Sequence, residues 1–173
     1  MGIFENFSAL FVEVWKKGIL GIDIFQIIIG LGIFLLFLLF RGFISKIIIN
    51  RLKKIAKKTT NKLDDTFVSA MEGPARFFPI VVGFFIASYY LEFSSESQLF
   101  IDNVNKSLIT ILIFWLIHQF IQPVSYLLGG LEKLLTKELI GWIVKALKIL
   151  IFILGAAAVL ELWGIKIGPI IAG

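Results

Sequence analysis

Long uncharged stretches alternate with charged ones along the chain. Four of these stretches are candidates for membrane-spanning helices, since roughly 20 apolar residues are needed to cross about 30 Å of hydrocarbon. They run from Ile24 to Phe40, from Phe77 to Leu91, from Ser107 to Leu131 and from Leu139 to Leu160. The third is long enough by itself, the first nearly so, and the others require tilt, bilayer thinning or lysines that reach the interface. The pattern predicts an all-α membrane protein with about four transmembrane helices in two out-in-out hairpins.

Helical periodicity continues beyond the first stretch. Apolar side chains recur at helical spacing at Ile44, Ile47, Ile48, Leu52 and Ile55. Lysines occupy the remaining arc, so we predict that the first helix continues as an amphipathic helix at the inner leaflet. The first twenty residues carry aromatic and leucine side chains on one face, which predicts an interfacial helix at the outer leaflet.

These patterns divide the chain into five segments. They are an outer-leaflet interfacial helix (1–20), a first transmembrane hairpin with basic amphipathic cytoplasmic helices (21–92), a periplasmic loop (93–106), a second transmembrane hairpin (107–163), and a turn with the start of a further apolar helix (164–173). Because that last helix stops soon after it starts, we expect the chain to be a truncated piece of a longer protein.

Composition supports a membrane location. Of the 173 residues, 58% are hydrophobic and 17% are charged, and the mean hydropathy is +0.95. A soluble globule of this size buries only roughly two-thirds of its chain's surface, so it could not hide this much apolar area. The net charge of +5 could indicate a nucleic-acid partner, but the position of the charges indicates a membrane instead.

The basic residues predict the orientation of the helices. Thirteen of the seventeen Lys and Arg residues lie in the two bends, within residues 41–76 and 132–148. Cytoplasmic loops of membrane proteins carry such an excess of positive charge. We therefore predict a multi-pass protein of the bacterial inner membrane, with cytoplasmic bends and with the N-terminus and the 93–106 loop in the periplasm.

Candidate chemistry is sparse. The chain has one histidine and no cysteine, and its uncharged stretches hold no pair of acids, so catalysis lacks a residue set. Asp64 and Asp65 are better explained as the start of a short helix, where carboxylates interact favourably with the helix dipole. We expect no enzymatic activity, no cofactor and no nucleic-acid partner.

A polar stripe lies in the third stretch. His118, Gln122 and Ser125 fall on one helical face, and an ionisable group inside a membrane is a functional candidate by default. The stripe is either a polar relay that takes part in gating or a set of hydrogen bonds that fixes helix packing.

Three further groups of residues are candidates for a mechanical role. Those expected to contact lipid headgroups at the inner leaflet are Arg51, Lys53, Lys54, Lys57, Lys58, Lys145 and Lys148. Those expected to form hinges, kinks or turns are Gly73, Pro74, Pro123, Gly168 and Pro169. Those expected to allow a close helix approach are Gly155, Ala156, Ala157 and Ala158. For each group a structural role is the alternative: a topology signal, a static kink, or packing within the bundle.

The last forty residues resemble a known family. A lysine-bearing helix, Trp142-Ile143-Val144-Lys145-Ala146-Leu147-Lys148, leads through a small-residue stretch into a Leu-x-x-Trp-Gly-Ile turn and Ile170-Ile171-Ala172-Gly173. This is similar to the second transmembrane helix, turn and pore-helix start of small-conductance mechanosensitive (MscS-like) channels. Lys62-Leu63-Asp64-Asp65-Thr66, with Gly73-Pro74-Ala75-Arg76 after it, resembles the cytoplasmic bend of members with extra N-terminal helices.

The resemblance implies a function. Members are homo-oligomeric, usually heptameric, and open under membrane tension to release ions and small solutes on hypo-osmotic shock. The chain would then be the lipid-embedded, tension-sensing part, with residues 107–163 as the sensor hairpin and Gly155 to Ala158 packed against the pore helix. The alternatives are a fragment of a multi-pass secondary transporter and a membrane anchor or assembly domain.

Overall fold

Four long α-helices make up the computed structural model of the chain. The structure describes residues 2, 4, 6–8, 12, 22–56, 63–91, 93–127 and 136–168. The helices are α1 (Ile24–Ala56), α2 (Leu63–Tyr90), α3 (Ser95–Leu127) and α4 (Lys137–Leu162). Each contains a segment long and apolar enough to cross a membrane. The prediction of an all-α fold with four spanning helices is therefore confirmed.

Local hydrogen bonds fix where the helices begin. The Asp23 carboxylate accepts a hydrogen bond from the Phe25 backbone N–H at 2.9 Å, which caps α1. The Thr136 hydroxyl oxygen accepts one from the Leu139 backbone N–H at 3.4 Å, at the start of α4. Side-chain oxygens at this position satisfy backbone donors that have no partner within the helix.

A Schellman motif ends α4. Gly164 has a φ of +81°, and its N–H donates to the Glu161 carbonyl at 2.9 Å. The Ile165 N–H donates to the Leu160 carbonyl at 3.1 Å. A positive φ is open to glycine without a steric penalty, so the chain turns sharply after Trp163.

The central helix of the bundle is α2. Within its spanning segment 39% of the residues are buried, against 6% in each of the other three helices. The main packing pairs follow the order of the chain: α1 with α2, α2 with α3, and α3 with α4. As a result α1, α3 and α4 keep most of their apolar side chains exposed or half-buried, which is the arrangement expected when lipid surrounds the helices.

Two kinds of contact hold α1 against α2. At one end, Ile49 of α1 packs with Val68, Met71 and Ala75 of α2 in a small buried cluster. Further along, Gly83 of α2 lies directly against a phenylalanine of α1: a Cβ atom at Gly83 would be 2.4 Å from the Cβ of Phe37. The two helices therefore approach so closely that only glycine fits at this position.

No break in the helix occurs at Gly73 and Pro74, and their role as hinge or kink stays a prediction. The structure has one continuous α2 that contains both Pro74 and Pro79. Both prolines are fully buried, and packing against neighbouring helices compensates for the missing backbone hydrogen bonds. Likewise α3 continues through Pro123 to Leu127, so a role of Pro123 as hinge or kink stays a prediction.

The segment 93–106, expected as a loop, is helical from Ser95 onward. The Gln98 N–H donates to the Ser94 carbonyl at 2.8 Å, and the Gln98 side-chain amide donates to the Asp102 carboxylate at 2.8 Å. Such i,i+4 pairs favour a helix. Charged residues mark the end of the uncharged stretch but do not end the helix.

Candidate functional site

A basic cleft opens between α1 and α2, with one wall from α3. Its volume is about 680 Å³. The polar and charged side chains in its lining are Arg41, Ser45, Lys46, Asn50, Lys53, Glu72 and Arg76. The apolar side chains are Ile49, Phe77, Ile80 and Trp115, and the glycines are Gly42 and Gly73. We refer to this feature as the basic cleft.

The charges of the basic cleft are not compensated from within. It holds four cationic side chains and one carboxylate, that of Glu72. Across the part of the chain that the structure describes, none of these five groups forms a salt bridge. The cleft therefore has an excess of positive charge that a bound anion could neutralise.

The indole of Trp115 forms the α3 wall of the basic cleft. A Cβ atom at Gly73 would lie 3.0 Å from Cζ2 of Trp115. The Phe77 and Trp115 rings are tilted at 51°, with centroids 5.6 Å apart. Gly73 thus provides space for an aromatic side chain from the neighbouring helix, a role that the sequence did not reveal.

The side chains of the predicted polar stripe of α3 form no hydrogen bond to one another in the described part of the chain, and a role in gating stays a prediction. The Lys148 ammonium of α4 donates a hydrogen bond to Oε1 of Gln122 at 2.7 Å. The Ser125 hydroxyl donates to the backbone carbonyl of Gln122 at 2.6 Å, not to its side chain. His118 has no hydrogen bond to any residue that the structure describes. The three residues therefore have different environments. Gln122 bonds to α4, Ser125 bonds within α3, and His118 lines an apolar groove.

That apolar groove lies between α3 and α4 and has a volume of about 620 Å³. At its base, Gly155 is buried against Phe114: an added Cβ would be 2.9 Å from the Cβ of Phe114. Ala156 is exposed, and Ala157 and Ala158 are half-buried. The small-residue stretch thus packs on α3 through its glycine and leaves the side chain of Ala156 uncovered.

A third contact joins α3 and α4 at the end of α4. The indole N–H of Trp163 donates to the Ser107 hydroxyl at 3.0 Å, and that hydroxyl donates to the Asn103 carbonyl at 2.7 Å. The Trp163 ring also contacts Phe100 edge-on, with centroids 5.3 Å apart. The sequence predicted that Trp163 is part of a turn. In the structure its side chain also attaches the end of α4 to α3.

The other predicted site residues are dispersed. Lys53 lines the basic cleft, whereas Arg51, Lys54 and Lys145 are exposed outside it. Gly168 is exposed near the end of the described region. Lys57, Lys58 and Pro169 lie outside the described residues, as does most of the segment 1–20. Among the described residues, no group of three or more His, Cys, Asp or Glu could hold a metal ion.

The bond between Lys148 and Gln122 can be tested by a double-mutant cycle. Lys148→Met should lower the free energy of unfolding in detergent by about 0.5–2 kcal/mol, because a hydrogen bond between helices is lost. In a Gln122→Leu background most of that effect should disappear. Lys145→Met, at an exposed position on the same helix, is the matched control and should have little effect. Equal effects of Lys148→Met in the two backgrounds would contradict the bond.

Curated relatives are similar to this chain over at least half of its length. An uncharacterized MscS family protein of Aquifex aeolicus is 28% identical over 157 residues, which are 88% of this chain and 42% of that protein. The uncharacterized MscS family protein YhdY of Bacillus subtilis is 32% identical over 93 residues, which are 54% of this chain and 25% of that protein. The chain thus spans less than half the length of either relative. No family model and no solved structure matches the chain.

Proposed function

Because this chain belongs to the MscS-like family, we propose that it forms the tension-sensing transmembrane part of a mechanosensitive channel. In this proposal the whole protein opens when the membrane is stretched and releases ions and small solutes during hypo-osmotic shock. It assembles as a homo-oligomer, with seven subunits by resemblance to the family. The chain lies in a bacterial inner membrane with its two bends in the cytoplasm.

The observation that supports this proposal is the large apolar surface that the helices expose. Only 6% of the spanning residues of α1, α3 and α4 are buried, so lipid contacts three of the four helices along most of their length. Tension can favour one state of a protein only if the two states interact differently with the membrane. A bundle with this much lipid-facing surface gives the membrane a large area on which to act.

The way α4 is attached to α3 also supports a moving sensor. The contacts between the two helices include Lys148 with Gln122, Gly155 with Phe114, and Trp163 with Ser107. The apolar groove lies along the same helix pair and includes Phe114 and Gly155 in its lining. The groove leaves space beside α4 into which the helix could tilt without displacing a packed side chain.

We propose that the exposed face at Ala156 packs against the pore helix of the whole protein. In that case Ala156→Leu should change the tension at which the channel opens, because the added bulk costs about 1–3 kcal/mol in whichever state packs more closely. Ala146→Leu, an identical substitution at an exposed position on the same helix, should leave the threshold unchanged. Both variants should unfold at the same temperature as the parent. Identical gating of the two variants would argue against this contact.

The channel function itself is tested by patch recording from membranes that contain the natural protein of which this sequence is part. Tension-gated current at zero solute gradient supports the proposal. Flux that depends on one particular solute and not on tension would indicate a secondary transporter. A protein that is folded in the membrane but gives neither signal would be an anchor or assembly domain.

A further inference from the structure

We propose that the basic cleft is a binding site for the phosphate headgroup of an anionic phospholipid from the leaflet that faces the bends. The inference rests on the membrane placement proposed above. Its test measures binding and requires no channel current, so a failure of one proposal does not imply a failure of the other.

The position of the basic cleft along the helices matches the depth of a headgroup. Arg41 is the first charged residue after the uncharged stretch of α1, and Arg76 is the last before that of α2. Because the two helices are antiparallel neighbours, both guanidinium groups lie at the same boundary between apolar and charged surface. Arginine at this level can pair with a phosphodiester through two parallel hydrogen bonds.

The walls of the basic cleft suit the two parts of a lipid. Lys46 and Lys53 lie on the charged side of Arg41, where they would meet the phosphate. Phe77, Ile80 and Trp115 add apolar surface to the same lining, which an acyl chain could contact. The side chain of Trp115 is 36% exposed, and indoles are common at the membrane interface.

A serine hydroxyl in the lining of the cleft is also available to a ligand. Ser45 is only 4% exposed and lines the cleft. Its hydroxyl has no hydrogen bond to the residues that the structure describes. Among the described residues, no side-chain oxygen is both fully buried and without a partner, so the Ser45 hydroxyl oxygen is accessible from the cleft, where a phosphate or glycerol oxygen could accept its hydrogen bond.

The charge balance favours an anionic lipid over a zwitterionic one. Four cationic groups surround the cleft against one carboxylate, and none of them is paired within the described chain. A phosphoethanolamine headgroup would place its own ammonium among these cations, where like charges repel. A phosphoglycerol headgroup carries no positive charge, and its hydroxyls can donate to the Glu72 carboxylate.

The volume of the basic cleft, about 680 Å³, lies within the range of small-molecule sites, which measure about 300–1,000 Å³. Because the cleft lies where the uncharged stretches of α1 and α2 end, a lipid would reach it from within the bilayer under the membrane placement proposed above. We therefore commit to a lipid as the occupant; a soluble phosphate compound is an outcome of the test.

The test compares lipid binding by native mass spectrometry of the 173-residue chain in detergent. The probes are phosphatidylglycerol and phosphatidylethanolamine with identical acyl chains, added in equal amounts. We expect the unmodified chain to retain phosphatidylglycerol at least about fivefold better, since each cation near the surface favours an anionic lipid. Equal retention of the two lipids would overturn the proposal.

Two pairs of variants locate the site. Lys46→Gln/Lys53→Gln should weaken phosphatidylglycerol binding by roughly tenfold or more, whereas Arg51→Gln/Lys54→Gln should weaken it by less than about threefold. Each pair removes two positive charges from the same part of α1, but only the first pair lines the cleft. Equal losses in both pairs would mean a diffuse surface attraction and would overturn the proposal.

A variant that keeps every charge completes the design. Gly42 lines the cleft, and no atom lies within 4 Å of where its Cβ would be. Gly42→Leu should fill the cleft and abolish selective binding, while Gly32→Leu, also at an open position of α1, should not. Unchanged binding in Gly42→Leu would contradict a site in the cleft. Displacement of the lipid by millimolar inorganic phosphate or glycerol phosphate would identify a soluble-anion site and overturn the lipid as occupant.

Discussion

Gly83→Ala should lower the free energy of unfolding of the chain by about 1–3 kcal/mol, the range found when a packed core is overfilled. The new Cβ would lie 2.4 Å from the Cβ and 2.8 Å from the Cγ of Phe37. The Cβ of Phe37 is fixed to the α1 backbone, so a change of rotamer cannot relieve the contact. The helices α1 and α2 would have to move apart along their central contact.

Whether Gly83→Ala lowers or raises the free energy of unfolding distinguishes an effect of packing from an effect of helix propensity. In a helix without neighbours, alanine is more favourable than glycine by about 1 kcal/mol. Gly141→Ala on α4, where no atom lies within 4 Å of the new Cβ, should therefore be neutral or stabilising. The measurement is unfolding of the purified chain in mixed detergent, followed by circular dichroism. Phe37→Ala should recover much of the loss in the double variant. A Gly83→Ala chain as stable as the parent would contradict the close contact.

Gly155→Leu should separate α4 from α3 and destabilise the chain by about 1–3 kcal/mol or more. The first carbon atom of the added side chain would lie 2.9 Å from Cβ and 3.0 Å from Cγ of Phe114, and the rest of the leucine would collide with the ring. Helix axes are about 8–10 Å apart depending on the side chains between them. Replacing glycine with leucine should move the pair about 2 Å toward the upper end of that range.

Spin labels can measure this movement directly. The chain has no cysteine, so labels can be attached at Ile113→Cys and Phe152→Cys, which are exposed on α3 and α4. Gly155→Leu should lengthen the mean distance between the labels, whereas Gly141→Leu, at an open position of α4, should not. An unchanged distance together with unchanged stability would show that Gly155 is not a packing contact. Under the channel function proposed above, Gly155→Leu in the whole protein should also change the tension at which the channel opens.

The number and type of the helices could be predicted from sequence because the bilayer imposes a strong condition on them. A segment that crosses hydrocarbon must satisfy its backbone hydrogen bonds internally and must carry few charges. Both requirements leave a visible signal, and the uncharged stretches that begin at Ile24 and Ser107 each start within one of the observed helices. The family resemblance followed from the order of these elements and from the turn at Trp163.

The ends of the helices were harder to predict because charge and helix formation are separate properties. Charges show where a chain leaves the apolar layer, and residues such as Gln98 and Asp102 continue a helix well beyond that point. The position of Pro74 was also a poor indicator of where a helix begins. In a soluble helix Pro74 would end or kink the helix, but here it is fully buried among its neighbours.

The contacts between helices could not be predicted because periodicity describes one helix at a time. Lys148 and Gln122 were both candidate residues, yet nothing in their spacing indicated that they would bind each other. Gly83 was missed altogether, although a glycine within an apolar span is a known sign of close helix approach. The basic cleft was missed for the same reason, since its cations come from two separate helices.

The sequential packing of the four helices has a consequence for biosynthesis. Because each helix packs mainly on the next one along the chain, every hairpin can form as soon as its second helix has entered the membrane. Contacts that are local in sequence also form quickly, and the N-terminal part of a chain is made first. Among the helices that the structure describes, α1 and α2 can therefore pack together in the membrane before α4 has been translated.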